Sequence, residues 1–294
     1  MLKRSSGLAK AVQSLIARLK NPLNPGAGMR SKAGSPRPDL SAASKPTSAY
    51  ATVVIPALNE EKRIAQVVAY ALSDPATAEV IVIDDSSIDA TVARAKAAGA
   101  KVFTSSMLGK GASMADALEF VCTELVVYLD GDLAGLRDSI ITDLCEPLIN
   151  DRADFVKGRF GRASGRVTEL TAKPMLKIFF PELSGIAQPL GGIIAARRSL
   201  LASLRFEDAY GVDVGLLIDA FSSGARISEV DIGSLEHDSQ TLGDLTFMAN
   251  EISRVIFGRA KALGRLHVEQ IGKMHEFQRR AAAELDYILT RRKG

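Results

Sequence analysis

The spacing of apolar positions divides this chain into short runs that alternate between two periods. Ala51-Thr-Val-Val-Ile-Pro56 is a β-branched apolar run closed by proline, the pattern of a buried strand. Glu60 to Leu72 then places Ile64, Val67, Val68 and Leu72 at helical spacing. Val80-Ile-Val-Ile83 repeats the strand pattern and runs into the polar turn Asp84-Asp-Ser-Ser-Ile-Asp89. Thr91 to Ala98 reads as a helix stopped by Gly99, and Lys101 to Thr104 as a third strand. Gly109-Lys110-Gly111 opens a helix predicted to reach about Val121. Leu125 to Leu129 is a fourth strand, ending in Asp130-Gly131-Asp132. Four strands alternating with helices through short loops predict an α/β fold: a Rossmann-like, mostly parallel sheet with helices on both faces.

The second half continues less regularly. Helices are expected over Ser139 to Leu148, Thr168 to Phe180, Val212 to Phe221 and Leu245 to Leu263, with a break near Pro174. Strands are expected over Asp154 to Arg159, Ile193 to Ala196 and Ala225 to Ile232. The tail from His275 to Arg292 reads as a further helix. Before Tyr50 the pattern is different. Leu8, Val12, Leu15, Ile16 and Leu19 lie at helical spacing among Lys and Arg, which describes a short basic amphipathic helix within residues 2–19. Such a segment suits peripheral contact with an anionic membrane, or a partner, or no specific role at all. A Pro, Gly, Ser and Ala-rich linker follows. The expected organisation is therefore residues 1–48 as basic helix and linker, 49–266 as the folded domain and 267–294 as a helical tail. The C-terminal amphipathic helices leave room for a homodimer.

Charge sharpens this division. Eight of the 37 Lys and Arg fall between Met1 and Arg37, where there is no Asp or Glu, so the rest carries 29 basic against 34 acidic side chains. A mildly acidic body gives no reason to expect nucleic acid as a partner. At 47% hydrophobic and 24% charged residues the chain can build a sizeable core. No run approaches the length of a membrane span, and the N-terminus lacks a secretory apolar core, so a cytoplasmic protein is expected. Cys122 and Cys145 have no metal-ligand spacing and apolar neighbours, which predicts two buried free thiols.

In open α/β sheets ligands bind beyond the carboxyl ends of the strands. Three such ends carry polar clusters: Pro56-Ala-Leu-Asn-Glu60, Asp84-Asp85 and Asp130-Gly-Asp132. Converging from three strands, they would line one pocket. Two carboxylates separated by glycine can turn toward one hard cation such as Mg2+ or Mn2+, which neutralises a departing diphosphate. An Asx turn after a strand would leave the same residues. Gly109-Lys110-Gly111 lacks the P-loop frame, yet small residues at a helix start leave N–H groups open to phosphate. A plain turn with a solvated lysine fits equally well. His267 and His275 read as surface residues, and His237 as a loop histidine with no assigned role.

These motifs resemble the GT-A glycosyltransferases of the family-2-like type. Gly165-Arg-Val-Thr-Glu-Leu170, Lys173-Pro174, Pro181-Glu-Leu183, Gln188-Pro-Leu190 and Tyr210-Gly-Val-Asp-Val-Gly-Leu-Leu-Ile-Asp219 narrow the resemblance to the glucosyl- and mannosyl-3-phosphoglycerate synthase group, over about Ala51 to Leu263. That resemblance implies retaining, metal-dependent transfer of a hexose, usually from UDP-glucose, to the 2-hydroxyl of 3-phosphoglycerate. It implies that Pro56, Ala57, Leu58 and Glu60 line the uridine site, with Ser86 in the turn near the nucleotide. Lys110 would approach the nucleotide or its phosphates, Asp130 the nucleotide sugar, and Asp132 and His237 the metal. Gly165, Arg166, Val167 and Thr168 would hold the acceptor's phosphate and carboxylate, a role that suits a guanidinium and a hydroxyl at a helix start. Asp213 takes the catalytic position at which the family has Glu against the sugar hydroxyls.

Three departures from the family pattern leave the donor half largely intact and bear on whether the acceptor is 3-phosphoglycerate. They are Asp213 for Glu, His237-Asp-Ser-Gln240 for His-Arg-Asn, and Gly191-Gly-Ile193 for Ser-Gly-Glu. Rival readings are mannosyl transfer from GDP-mannose, a polyprenyl-phosphate glycosyltransferase, and a catalytically silent nucleotide-sugar-binding module.

Overall fold

A computed structural model of the chain describes residues 49–161, 165–235 and 242–266, together with Glu276 and Arg279. The expected N-terminal basic helix, the linker, the tail helix apart from Glu276 and Arg279, and all three histidines lie outside the described residues. So do the membrane and dimer contacts expected of those segments.

The buried-strand runs form one seven-stranded sheet in the order β3-β2-β1-β4-β6-β5-β7. Its strands are β1 Ala51–Ala57, β2 Thr77–Asp84, β3 Lys101–Thr104, β4 Leu125–Tyr128, β5 Phe155–Arg159, β6 Ile194–Arg197 and β7 Ile227–Asp231. The first four pair in parallel, as their alternation with helices requires, and β5 pairs in parallel with β7. β6 is the exception. It runs antiparallel to both β4 and β5, with Val126 opposite Ala196 and Phe155 opposite the same residue.

Eight helices cover the sheet among the described residues: α1 Ile64–Ser73, α2 Thr91–Ala97, α3 Lys110–Ala117, α4 Ile140–Ile149, α5 Lys173–Phe179, α6 Arg198–Leu201, α7 Val212–Ser222 and α8 Leu242–Ala262. None is long and apolar enough to cross a membrane. Successive strand residues point to opposite faces, so the sheet sorts its own core into two apolar clusters. Val54, Ile81, Ile83, Val126, Tyr128 and Phe155 pack with Met114 of α3, Leu176 of α5, Leu216 of α7 and Ile256 of α8. On the other face Val53, Ile55, Val82, Val127 and Val156 meet Val67 and Val68 of α1 and Leu144 of α4.

Two helices differ from the sequence reading: the one expected from Glu60 begins later, and the one expected to reach about Val121 ends at Ala117. α1 starts at Ile64, not at Glu60, because residues 60–63 form a turn in which Glu60's carbonyl accepts the N–H groups of Arg63 and Ile64. The segment from Thr168 to Phe179 divides where Pro174 predicts a break. Proline offers no N–H to Leu170, and the chain passes through a π-helical turn at Thr168–Ala172 before α5 begins. Gly99 ends the second helix as expected, at a φ of 101° that an L side chain resists.

Candidate active site

Parallel pairing of β1, β2 and β4 brings their carboxyl ends to one edge, and the loops beyond them are stitched together. The Asp85 N–H donates to the Ala57 carbonyl at 2.9 Å, and the Leu129 N–H to the Val54 carbonyl at 3.0 Å. Asn59, at a φ of 57°, gives its N–H to Ser87 Oγ and accepts the Ile88 N–H on its side-chain oxygen, each at 2.9 Å. Thr91 Oγ1 accepts the Glu60 N–H at 2.8 Å. Between these loops Gly131 passes so close that an added Cβ would lie 3.2 Å from Glu60 Cγ and 3.5 Å from the Pro56 carbonyl. The three polar clusters therefore converge. Pro56 is half-buried and Ala57 buried, whereas Leu58 and Ser86 are exposed, Ser86 at a φ of 72°.

Electrostatics records the convergence. Burial, and then the charges of Asp132 and Asp130, push the Glu60 carboxyl up to about 7. Three carboxylates crowded at one strand edge form an oxygen-rich, over-negative site, which is the chemistry a hard divalent cation relieves. Among the described residues no group of three or more His, Cys, Asp or Glu is gathered tightly enough to hold an ion by itself. Asp132 stands at the strand end as expected; His237 lies outside the described residues.

Gly109-Lys110-Gly111 corrects the sequence reading. The Gly109 N–H is not open to a phosphate, because the buried Asp85 carboxylate accepts it at 2.8 and 3.0 Å. The Gly111 N–H donates to the Asp208 carbonyl at 3.2 Å. Both positions need glycine for packing. A Cβ at Gly109 would sit 2.0 Å from the Asp208 carbonyl oxygen, and one at Gly111 would sit 1.6 Å from that of Glu207. Close approach of the 207–208 loop fixes where α3 begins and where the chain enters α7.

That approach creates the centre of the site. Lys110 Nζ lies 2.8 Å from Asp130 Oδ1 and 2.9 Å from Asp213 Oδ2, so one ammonium joins the β4 end to the start of α7. Burial alone would lower the Lys110 pKa, but the two carboxylates outweigh it and hold the group well above its ordinary value. Asp213 is only 4% exposed, and its Oδ1 is buried without a hydrogen-bond partner among the described residues. A buried unsatisfied carboxylate oxygen costs about 1–3 kcal/mol, and more when charged, so a hydrogen-bond donor that reached it would be favourable. Sequence spacing could not reveal this pairing across 103 positions.

Gly165 and Arg166 are exposed, while Val167 and Thr168 are buried. Val167 belongs to the same apolar cluster as Val212 and Val214, which ties this loop to the face that carries Asp213. A residue that motif reading passed over is Lys157, completely buried on β5. Its signal was available: two residues after Phe155, it occupies an inward position of a strand. The cysteines divide against expectation. Cys145 is buried, but Cys122 is exposed, because it follows α3 in the loop before β4.

The comparisons with known proteins are specific. The model of the family "Glycosyl transferase family 2" matches residues 52–202. Glucosyl-3-phosphoglycerate synthase of Petrotoga mobilis is 36% identical over 242 residues, covering 73% of this chain and 74% of that protein. The Mycobacterium tuberculosis enzyme of the same name is 34% identical over 235 residues, covering 71% and 72%. Its crystal structure with Mn2+, uridine-diphosphate-glucose and phosphoglyceric acid superposes with a TM-score of 0.69 at 35% identity, over 72% of this chain and 80% of the other. The same protein with Mg2+ and uridine diphosphate gives a TM-score of 0.69 at 36% identity, with the same coverage. The sheet order, the strand-end carboxylates and these relatives agree: the chain is a GT-A hexosyltransferase that belongs to glycosyl transferase family 2 and, within it, to the glucosyl-3-phosphoglycerate synthases.

Proposed function

We propose that this chain transfers glucose from UDP-glucose to the 2-hydroxyl of 3-phosphoglycerate, with retention at the anomeric carbon and with Mg2+ or Mn2+ bound. The carrying observation is the Lys110 ammonium held between Asp130 and Asp213, with Asp213 Oδ1 buried and unpartnered. A sugar hydroxyl would supply the missing donor to Asp213. Pro56, Ala57, Leu58, Glu60 and Ser86 would line the nucleotide, and Asp130 would face its sugar. Asp132, with His237, would hold the cation, whose chemistry when bound is neutralisation of the diphosphate as it leaves. Lys110 would add a fixed positive charge on the same side, so departure of the diphosphate needs no proton from the protein. Gly165, Arg166, Val167 and Thr168 would grip the acceptor's anionic groups. Retention follows most simply from attack on the face the diphosphate leaves, with the acceptor held by that loop.

Asp213 stands where the family has Glu, and its carboxylate falls short by one methylene, about 1.5 Å. Asp213 nevertheless meets the Lys110 ammonium at 2.9 Å. The crowding of Glu60, Asp130 and Asp132 supports a cation at the strand ends, and the relatives' complexes support the donor and the acceptor. A donor and acceptor screen that follows nucleoside diphosphate release with Mg2+ tests the reading. UDP release from UDP-glucose that requires 3-phosphoglycerate supports it. Release from GDP-mannose instead, or only with other phosphorylated or carboxylated acceptors, would replace it.

A further inference from the structure

Lys157 is among the largest fully buried side chains of the protein, and none of the chemistry above uses it. Strand alternation puts it on the face of Phe155, the face that carries α3 and α7. Burying an ammonium is costly unless donors find acceptors, and Lys157 finds two backbone carbonyls. Its Nζ donates to the Gly191 carbonyl and makes a longer contact, 3.4 Å, to the Pro189 carbonyl. Directly opposite in the β5–β7 register stands Glu229, whose Oε1 accepts the Ala187 N–H at 2.8 Å. Two paired strand residues thus grip one strap, residues 187–191, at its start and at its end.

What the strap delivers is Gly192. A Cβ on this residue would lie 2.2 Å from Asp130 Oδ1, 2.6 Å from Asp130 Oδ2 and 2.5 Å from Lys110 Nζ. Its backbone is the wall against which the Lys110–Asp130 pair rests. Beyond the strap, the Gly158 N–H donates to the Ile193 carbonyl at 2.9 Å, so β5 holds this segment on both sides of Gly192.

We propose that Lys157 is a positioning residue for the transfer reaction: by holding the Gly191 carbonyl, with Glu229 holding Ala187, it presses Gly192 against Asp130 and sets the place of the Lys110–Asp130–Asp213 cluster. The charged groups that face Lys157 are Asp213, Lys110, Asp130 and Glu229. Burial pushes its ammonium down to about 8, with Asp213 opposing and Lys110 reinforcing that shift. An ammonium there has donors enough for both strap carbonyls, Gly191 and Pro189. A methionine of similar length would fill the space and leave both carbonyls without that donor.

The activity readouts rest on the glucosyl-transfer reading; amide exchange does not. K157M and the pair E229A and E229Q are to be compared with the wild type by steady-state kinetics, circular dichroism and hydrogen exchange at Gly191 and Gly192. Folded K157M is expected to lose about 100-fold in kcat, as for a displacement of about 1 Å at a reacting centre, while its KM for UDP-glucose changes by less than about threefold. Its Gly191 and Gly192 amides should exchange faster. E229A should lower kcat in the same direction, and E229Q, which keeps an acceptor for Ala187, should recover most of it. Wild-type kcat and wild-type exchange in folded K157M would overturn the inference, as would a loss confined to KM. If K157M does not fold, an E229A variant with unchanged kcat and exchange would overturn it. A wild-type enzyme inert with UDP-glucose and 3-phosphoglycerate would sink the functional reading and leave the exchange result to decide on the strap.

Discussion

Replacing Gly192 with alanine adds one methyl group where the structure has no room for it. The new Cβ would lie 2.2 Å from Asp130 Oδ1 and 2.5 Å from Lys110 Nζ. Carbon and oxygen approach to about 3.3 Å at ordinary contact, so something must move by roughly 1 Å. The backbone is poorly able to retreat, since the Gly191 carbonyl is held by Lys157 and the Ile193 carbonyl by the Gly158 N–H. The Asp130 carboxylate and the Lys110 ammonium must therefore yield, and with them the contact to Asp213. A displacement of that size at a reacting centre costs about 100-fold in rate, equivalent to about 2.7 kcal/mol of barrier. The atoms in the way are the ends of two partly exposed side chains, so the displacement falls on the site's geometry and stability should change by less than about 1 kcal/mol. Initial rates at saturating UDP-glucose and 3-phosphoglycerate, a thermal melt and UDP titration by calorimetry separate the two effects. The expected result is a folded protein that binds UDP and turns over slowly. A folded G192A enzyme with wild-type kcat would refute the placement of this loop against Asp130.

Three further outcomes follow from the same geometry. G111A, whose Cβ would lie 1.6 Å from the Glu207 carbonyl oxygen, should lose at least about 3 kcal/mol in denaturant unfolding, whereas G185A, with nothing within 4 Å, should stay within about 0.5 kcal/mol of wild type. Because the Glu60 carboxyl is raised from 4.5 to about 7, the ligand-free folded state binds more protons than the unfolded state between those values, and stability falls as pH rises through that window. E60Q should remove that fall, and identical urea midpoints for the two proteins above and below the window would contradict the crowding of Glu60 with Asp130 and Asp132. A thiol reagent should label Cys122 in the native protein but reach Cys145 only on unfolding, since burial also pushes the Cys145 thiol up to about 12.

Much of the strand-end cluster was legible in the sequence. Buried parallel strands read as continuous β-branched runs, and Val53 to Ile55, Val80 to Ile83 and Leu125 to Leu129 each end in their polar cluster at a strand terminus. Local rules then place Asp130 and Asp132 at the carboxyl edge, because alternation and parallel pairing leave no other place for them. The same local rules misread Gly109-Lys110-Gly111. They explain a glycine by what its own backbone can do, whereas Gly109 and Gly111 are required by a loop about a hundred residues away.

The sequence by itself determined the strands, their polarity and the residue types gathered at their ends, because periodicity and turn chemistry act within a few residues. Tertiary structure alone decided that Lys110 joins Asp130 to Asp213, that Lys157 and Glu229 share a strap, and that Gly192 forms the wall of the site. Those contacts join groups that lie between 20 positions apart, as Lys110 and Asp130 do, and 103 positions apart, as Lys110 and Asp213 do, and a sheet that runs β6 antiparallel between β4 and β5 brings them within hydrogen-bond reach.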